Sequence, residues 1–334
     1  MFINKEIRLD YSDVLLVPQN SNISSRKDVK LENDHDIIPV ILANMDGVGT
    51  FEMAKVAAKF KLKTALVKHY SEDELVEFFM KEEYTPYTMY SMGANEKDLE
   101  KFLNFYRRTI DFEQPSVCID VANGYTESFL RFCESFKKNF PHTITVGNVV
   151  TPERVGELNS VGVDFIKVGI GPGSVCTTRK MTGVGYPQFS AVAECAAVAT
   201  NIVADGGIIN YGDISKAFGA GACAVMVGSL FAGHDEGGGE TIKHWEGGES
   251  YKRFYGMASK EAQHKHHGGL LDYRASEGKE VLVPYKGPVE NTIKELLGSL
   301  RSSCSYIGVD RLEDLYDAAQ FVRVNRIHSS MFNN

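Results

Sequence analysis

The sequence predicts an α/β chain folded as a single (β/α)8 TIM barrel with an N-terminal arm and a long flap after the eighth strand. Three observations predict it. Eight short apolar runs alternate with segments of helical spacing, a polar or glycine residue closes nearly every run, and the sixth run feeds a glycine-rich turn ending on a cysteine. A doubly wound open sheet has the same alternation, and the pattern alone leaves that alternative standing.

In chain order, residues 1–36 form an extended arm containing the Ser24-Ser25-Arg26 cluster, and the apolar runs follow at 37–43, 64–67, 87–92, 117–121, 143–146, 165–168, 202–204 and 222–227. Helix starts are written between them. Ser71 with Glu74 three residues later is a capping box, and Thr151 before Pro152 sets a cap ahead of a first-turn proline. Asn44, Lys68, Asp120, Asn148, Asp205 and Gly228 stand at the ends of runs, where the βα loops of a barrel build one shared pocket.

After the eighth run, residues 233–286 are too long for a tight turn and read as a lid or binding loop. Within them His264, His266 and His267 lack cysteine or carboxylate partners at metal-binding spacing, so they read as an exposed basic loop. Residues 287–334 supply closing helices at 289–300 and 312–321, with Arg301, Ser302, Ser303, Cys304 and Ser305 between them. One catalytic domain over 1–334 accounts for the whole pattern.

The 334 residues are 43% hydrophobic, enough for a sizeable core, and no run of about 18 apolar residues offers a membrane span. The amino terminus lacks a basic start followed by an apolar stretch, so an unexported, soluble protein is expected. The net charge of −8 is spread without acidic tails or basic blocks, which argues against a nucleic-acid or membrane surface and leaves phosphate recognition to a small ligand. Six cysteines at 118, 133, 176, 195, 223 and 304 form no CxxC pair, as expected of reduced thiols in the cytosol.

The chemistry concentrates in FIKVGIGPGSVCTTRKMTGVGYPQ, residues 165–188. Phe165, Ile166 and Val168 give the strand; Gly169, Gly171, Pro172 and Gly173 stop it. Most free cysteines are small buried hydrophobes. Cys176 instead follows on a loop tip among Ser174, Thr177, Thr178 and Arg179, a setting that exposes sulfur and favours the nucleophilic thiolate. Gly206-Gly207 after the seventh run and Gly228-Ser229 after the eighth lie where barrels hold a phosphate, and with Gly173-Ser174 they make a phosphate cup. Asp205 is anionic, so it suits a sugar hydroxyl pair beside that cup.

These residues, with NMDGVGTFEMA near the start, DGG, FYGM and YRASEGK, resemble the IMP dehydrogenase/GMP reductase family along essentially the whole chain, and its GMP reductase branch in particular. The dehydrogenases usually carry a pair of CBS modules after the second strand and an Arg-Tyr pair on the flap. Here Lys68-His69-Tyr70 runs straight into Ser71, and the flap reads Tyr273-Arg274-Ala275-Ser276-Glu277. The resemblance implies NADPH-dependent reductive deamination of GMP to IMP with release of ammonia, through a thioimidate on Cys176. Thr178 and Glu277 are then the proton relay.

By the same resemblance Ser174, Gly207, Gly228 and Ser229 match phosphate contacts, and Asp205 the ribose contact. Met257, Arg274, Ser276 and Gly278 match the purine loop. NADPH would meet Ser25 and Arg26 of a neighbouring subunit together with Lys68, Asp120, Val121, Ala122, Ser302, Ser303, Cys304 and Ser305. Backbone carbonyls of Gly171, Gly173 and Cys176 would hold a monovalent cation (K+), and a cytoplasmic homotetramer is expected. Ala258, Ser229 and Met181 depart from the family's usual residues. Two alternatives stay open: an IMP dehydrogenase without CBS modules, and a nucleotide-binding barrel without chemistry.

Overall fold

The eight runs form strands because short β-branched stretches bounded by glycine and polar residues bury both faces in a parallel sheet. The computed structural model describes residues 5–243, 248–269 and 275–324. The arm contributes β1 (Val14–Leu16); the barrel strands are β2 (Ile38–Leu42), β3 (Leu62–Ala65), β4 (Thr88–Met92), β5 (Ser116–Asp120), β6 (Ile144–Val149), β7 (Phe165–Val168), β8 (Ile202–Asp205) and β9 (Ala224–Val227). All eight are parallel and close into a barrel. Closure is made by β2 against β9, with Val40, Ile41 and Leu42 in register with Val225, Met226 and Val227. An open sheet is thereby excluded.

Helices α1 (Phe51–Lys59), α2 (Glu72–Phe79), α3 (Glu96–Thr109), α4 (Glu127–Asn139), α5 (Pro152–Ser160), α6 (Thr178–Thr182), α7 (Gln188–Ala196) and α8 (Tyr211–Gly219) fill the connections. Ser71 and Glu74 form the expected capping box at α2, with the Ser71 N–H donating to Glu74 Oε2 at 2.7 Å. At α5 Pro152 takes the first turn as expected, but the Thr151 hydroxyl makes no cap bond and accepts from Tyr125 Oη at 3.1 Å instead. Residues 66–71 alone join β3 to α2. Inside the barrel, Ile41, Ala65, Met89, Cys118, Val203 and Met226 pack into a plug that separates its two mouths.

Past β9 the chain builds a three-stranded antiparallel flap from β10 (Thr241–Lys243), β11 (Ser250–Tyr255) and β12 (Glu280–Pro284), with α9 (Lys260–His267) between the last two. The histidine-rich stretch is therefore a helix, capped by Ser259 accepting from the Ala262 N–H, and not an exposed loop. His266 turns inward, its side chain 10% exposed, because an acidic partner awaits it.

Two further expectations are corrected. Residues 301–305 do not separate two helices: α10 runs Val289–Ile307, since Leu296, Leu300, Cys304 and Ile307 keep one buried stripe through them. The segment 312–321 is a 3-10 turn, the short α11 (Leu315–Ala318) and the start of β13 (Phe321–Arg323). That last strand pairs antiparallel with β1, so the arm is tied down. Among the described residues no helix is long and apolar enough to cross a membrane.

Candidate active site

The carboxyl ends of the strands open into a cleft of about 430 Å³ that Lys68, Asp120, Asn148, Cys176, Asp205 and Glu277 help to line. A larger cavity of about 600 Å³ opens at the opposite mouth, near Lys63 and Cys223. Burial pushes the Cys223 thiol there up to about 12, away from the nucleophilic thiolate, whereas the smaller cleft holds the half-buried Cys176.

Cys176 is half-buried, not an exposed tip, because the flap lies across it. Residues 175–177 pair with 277–279 in a short antiparallel bridge: Thr177 N–H donates to the Glu277 carbonyl at 2.9 Å, and Lys279 N–H donates to the Val175 carbonyl at 2.9 Å. That pairing brings together residues a hundred positions apart. The Cys176 thiol donates to Thr178 Oγ1 at 3.2 Å, and the Thr178 hydroxyl donates to Glu277 Oε2 at 2.7 Å. Arg179 plays no part at sulfur. Its guanidinium reaches the Tyr186 carbonyl at 2.6 Å and Asp10 at 3.2 Å, fixing the loop to the arm.

Gly206 and Gly207 adopt φ values of +87° and +79°, which favour glycine, and they line the cleft together with Ser174, Gly228 and Ser229. The Ser229 hydroxyl donates to the Ile208 carbonyl at 3.1 Å. Met257 also lines the cleft. Ser276 and Gly278 stand behind the lining, the former donating to the Ala258 carbonyl at 3.3 Å. Arg274 lies outside the described residues.

Sequence reasoning missed Lys167, hidden inside an apolar strand. It is 1% exposed, touches Asp120 Oδ1 and stands 3.2 Å from Asp205 Oδ2, which also accepts from Asn148 Nδ2 at 2.9 Å. Burial opposes both charges, yet the mutual attraction wins: the Asp120 carboxyl lies below its ordinary value and the Lys167 ammonium above its own. A lysine at an inward position of a buried strand is itself the available signal, because an unpaired cation there would be prohibitively costly. His69 and His266, likewise missed, line the cleft, and Asp46 stands behind them with its Oδ2 2.7 Å from His266 Nε2.

The residues expected at NADPH divide into two groups. Lys68, Asp120, Val121 and Ala122 line the cleft. Ser25, Arg26 and Ser302–Ser305 do not line it. The turn Arg26–Asp28 packs on α10, where Ser302 donates to the Gly298 carbonyl and Ser303 bonds Ser215. Cys304 is fully buried in the core and offers no side chain to a ligand; burial raises its thiol to about 12. Among the described residues no cluster of His, Cys, Asp or Glu suits a metal ion.

Fold and cleft together define a (β/α)8-barrel protein with a thiol, a hydroxyl and a carboxyl in series at its C-terminal mouth. The chain belongs to the IMP dehydrogenase / GMP reductase domain family, whose model matches residues 8–330. It is 48% identical over 347 residues to GMP reductase 2 of Mus musculus, covering 99% of each chain, and 48% identical over 346 residues to GMP reductase 1 of Homo sapiens, again 99% of each. It is 46% identical over 349 residues to GMP reductase of Caenorhabditis elegans, covering 99% of this chain and 96% of that one.

Proposed function

We propose that this chain reduces GMP to IMP with NADPH and releases ammonia. The observation that carries the reading is the unbroken Cys176–Thr178–Glu277 hydrogen-bond series beneath the flap. Cys176 sulfur adds to purine C2 and the exocyclic amine departs from that carbon, leaving a thioimidate that splits one difficult displacement into two steps. An amine leaves as ammonia only once protonated, and the Thr178 hydroxyl passes a proton supplied through Glu277. NADPH supplies the hydride that C2 then accepts. Cys176 leaves as thiolate, so GMP, NADPH and two protons balance IMP, ammonium and NADP+.

The remaining assignments follow this reading. Gly207, Gly228, Ser229 and Ser174 hold the phosphate, Asp205 the ribose, and Met257, Arg274, Ser276 and Gly278 position the purine. Asp205 suits the ribose because its Oδ2 is already engaged by Lys167 and Asn148, leaving Oδ1 for a hydroxyl. Lys68, Asp120, Val121 and Ala122 take the nicotinamide end of NADPH. Exposed Arg26, which makes no ion pair among the described residues, suits the 2′-phosphate of a neighbouring subunit's cofactor beside Ser25, Ser302, Ser303 and Ser305. That arrangement needs a homo-oligomer, here a cytoplasmic tetramer. Carbonyls of Gly171, Gly173 and Cys176 coordinate a potassium ion; that of Gly173 accepts the Cys176 N–H at 3.0 Å and keeps a lone pair.

The test mixes the protein with GMP and NADPH in potassium buffer and follows nicotinamide absorbance and ammonia together, with IMP and NAD+ run in parallel. Equal NADPH loss and ammonia release is expected. Turnover of IMP with NAD+ alone would overturn the reading in favour of a dehydrogenase, and GMP binding without turnover in favour of a non-catalytic barrel.

A further inference from the structure

Asp46 follows β2 in the first βα loop, yet among the described residues the partners of its side chain belong to the flap. Its Oδ2 accepts from Tyr255 Oη at 2.7 Å, Lys265 Nζ at 2.9 Å and His266 Nε2 at 2.7 Å. Its backbone N–H donates to Met257 Sδ at 3.3 Å. The side chain is 4% exposed, so each of these bonds replaces water that the carboxylate has lost. Burial opposes the Asp46 charge, but Lys265, Tyr255 and His266 outweigh it and hold the carboxyl below its ordinary value. The His266 ring also stacks on His69 in the loop after β3, with centroids 3.5 Å apart and planes 8° from parallel. Burial first, then the charges of His266 and Lys68, press His69 down to about 4, so at neutral pH it adds no positive charge to the stack.

These contacts reach the reacting groups through the flap backbone. Tyr255 ends β11, and just beyond it Gly256 N–H donates to the Lys279 carbonyl at 3.3 Å while Glu277 N–H donates to the Ala258 carbonyl at 3.1 Å. The segment carrying Glu277 is thus fixed on one side by the cysteine loop and on the other by the segment Asp46 grips. We propose that Asp46 is a positioning residue that pins the flap over the barrel mouth, setting Glu277 against Thr178 and Met257 against the cleft. This rests on the reading of Cys176, Thr178 and Glu277 as the reacting groups.

Two variants test it. Asp46→Asn keeps the volume and removes the charge; Lys265→Met removes one donor from a side chain that is 57% exposed, where folding is not at risk. The first readout is the alkylation rate of Cys176 by iodoacetamide, followed peptide by peptide, with buried Cys118, Cys133 and Cys195 as internal controls. The second is kcat and KM for GMP with NADPH, and the third is the urea midpoint. Losing charge-assisted bonds to one buried acceptor should speed Cys176 alkylation about tenfold in Asp46→Asn and lower kcat about tenfold, with the urea midpoint and the KM for NADPH held. Lys265→Met should move both rates the same way by a smaller factor.

Alkylation and kcat within about twofold of the parent in both variants would overturn the proposal. So would a lowered urea midpoint with unchanged alkylation of the folded protein, the mark of a merely structural carboxylate. If the parent turns over no GMP, the functional reading fails, and alkylation still decides whether Asp46 pins the flap.

Discussion

Replacing Lys167 by methionine keeps the length of the side chain and removes its charge from the centre of the barrel. Two carboxylates then face each other without a cation: Asp120, whose Oδ1 the ammonium touches, and Asp205, whose Oδ2 stands 3.2 Å from it. Lys167 is 1% exposed, so water does not take its place. Breaking a fully buried pair costs about 3–5 kcal/mol, but the Asp120 side chain is 38% exposed and that of Asp205 19%, so solvent screens the stranded charges and the loss should be about 2–3 kcal/mol against a total stability of about 5–15 kcal/mol.

Urea unfolding reads the loss directly. With a slope near 3 kcal/mol/M for a chain of this size, the midpoint should fall by about 0.7–1 M at pH 8. The pH dependence carries the sign. In the parent, the Asp120 carboxyl lies below its unfolded value, so its contribution is present above about pH 4 and is lost as pH falls through the folded value. In Lys167→Met, burial and like charge raise the folded carboxyls instead. Stability is then greatest below the unfolded value and is lost as pH rises through the raised one, so the deficit should shrink between pH 8 and pH 5. A midpoint change under about 0.3 M at both pH values would refute the reasoning.

Cys176→Ser should keep GMP affinity, measured by equilibrium titration, and lose turnover; undiminished turnover would remove the covalent step. Glu277→Gln should lower kcat by about 10²–10⁴-fold with little change in GMP binding, because it removes the proton source and leaves the purine contacts. A Cβ at Gly278 would lie 2.8 Å from the Ser259 backbone nitrogen, so Gly278→Ala must shift the strand that carries Glu277. It should lower kcat and cost about 1–3 kcal/mol by urea unfolding. Ser71→Ala, which removes the cap accepting the Glu74 N–H, should cost about 1 kcal/mol by urea unfolding and leave activity unchanged.

The sequence by itself determined eight strands alternating with helices and the cysteine loop, while closure of those strands into a barrel was decided by β2 meeting β9. Short β-branched runs, a capping box and glycines at strand ends are local signals, and local conformation obeys them: all eight runs are strands, and their boundaries move by only a few residues. Tertiary structure alone decided what those elements carry. That Glu277 meets Thr178 depends on a bridge between residues 175–177 and 277–279, and backbone pairing at that separation leaves no periodicity to read. Lys167 goes unmarked within an apolar strand, and only the structure shows Asp120 and Asp205, from two other strands, around it. His266 looked like part of a basic loop until a helix turned it onto Asp46. Burying a charge is favourable only beside its partner, and which partner stands there is a property of how distant strands close, not of any one stretch of chain.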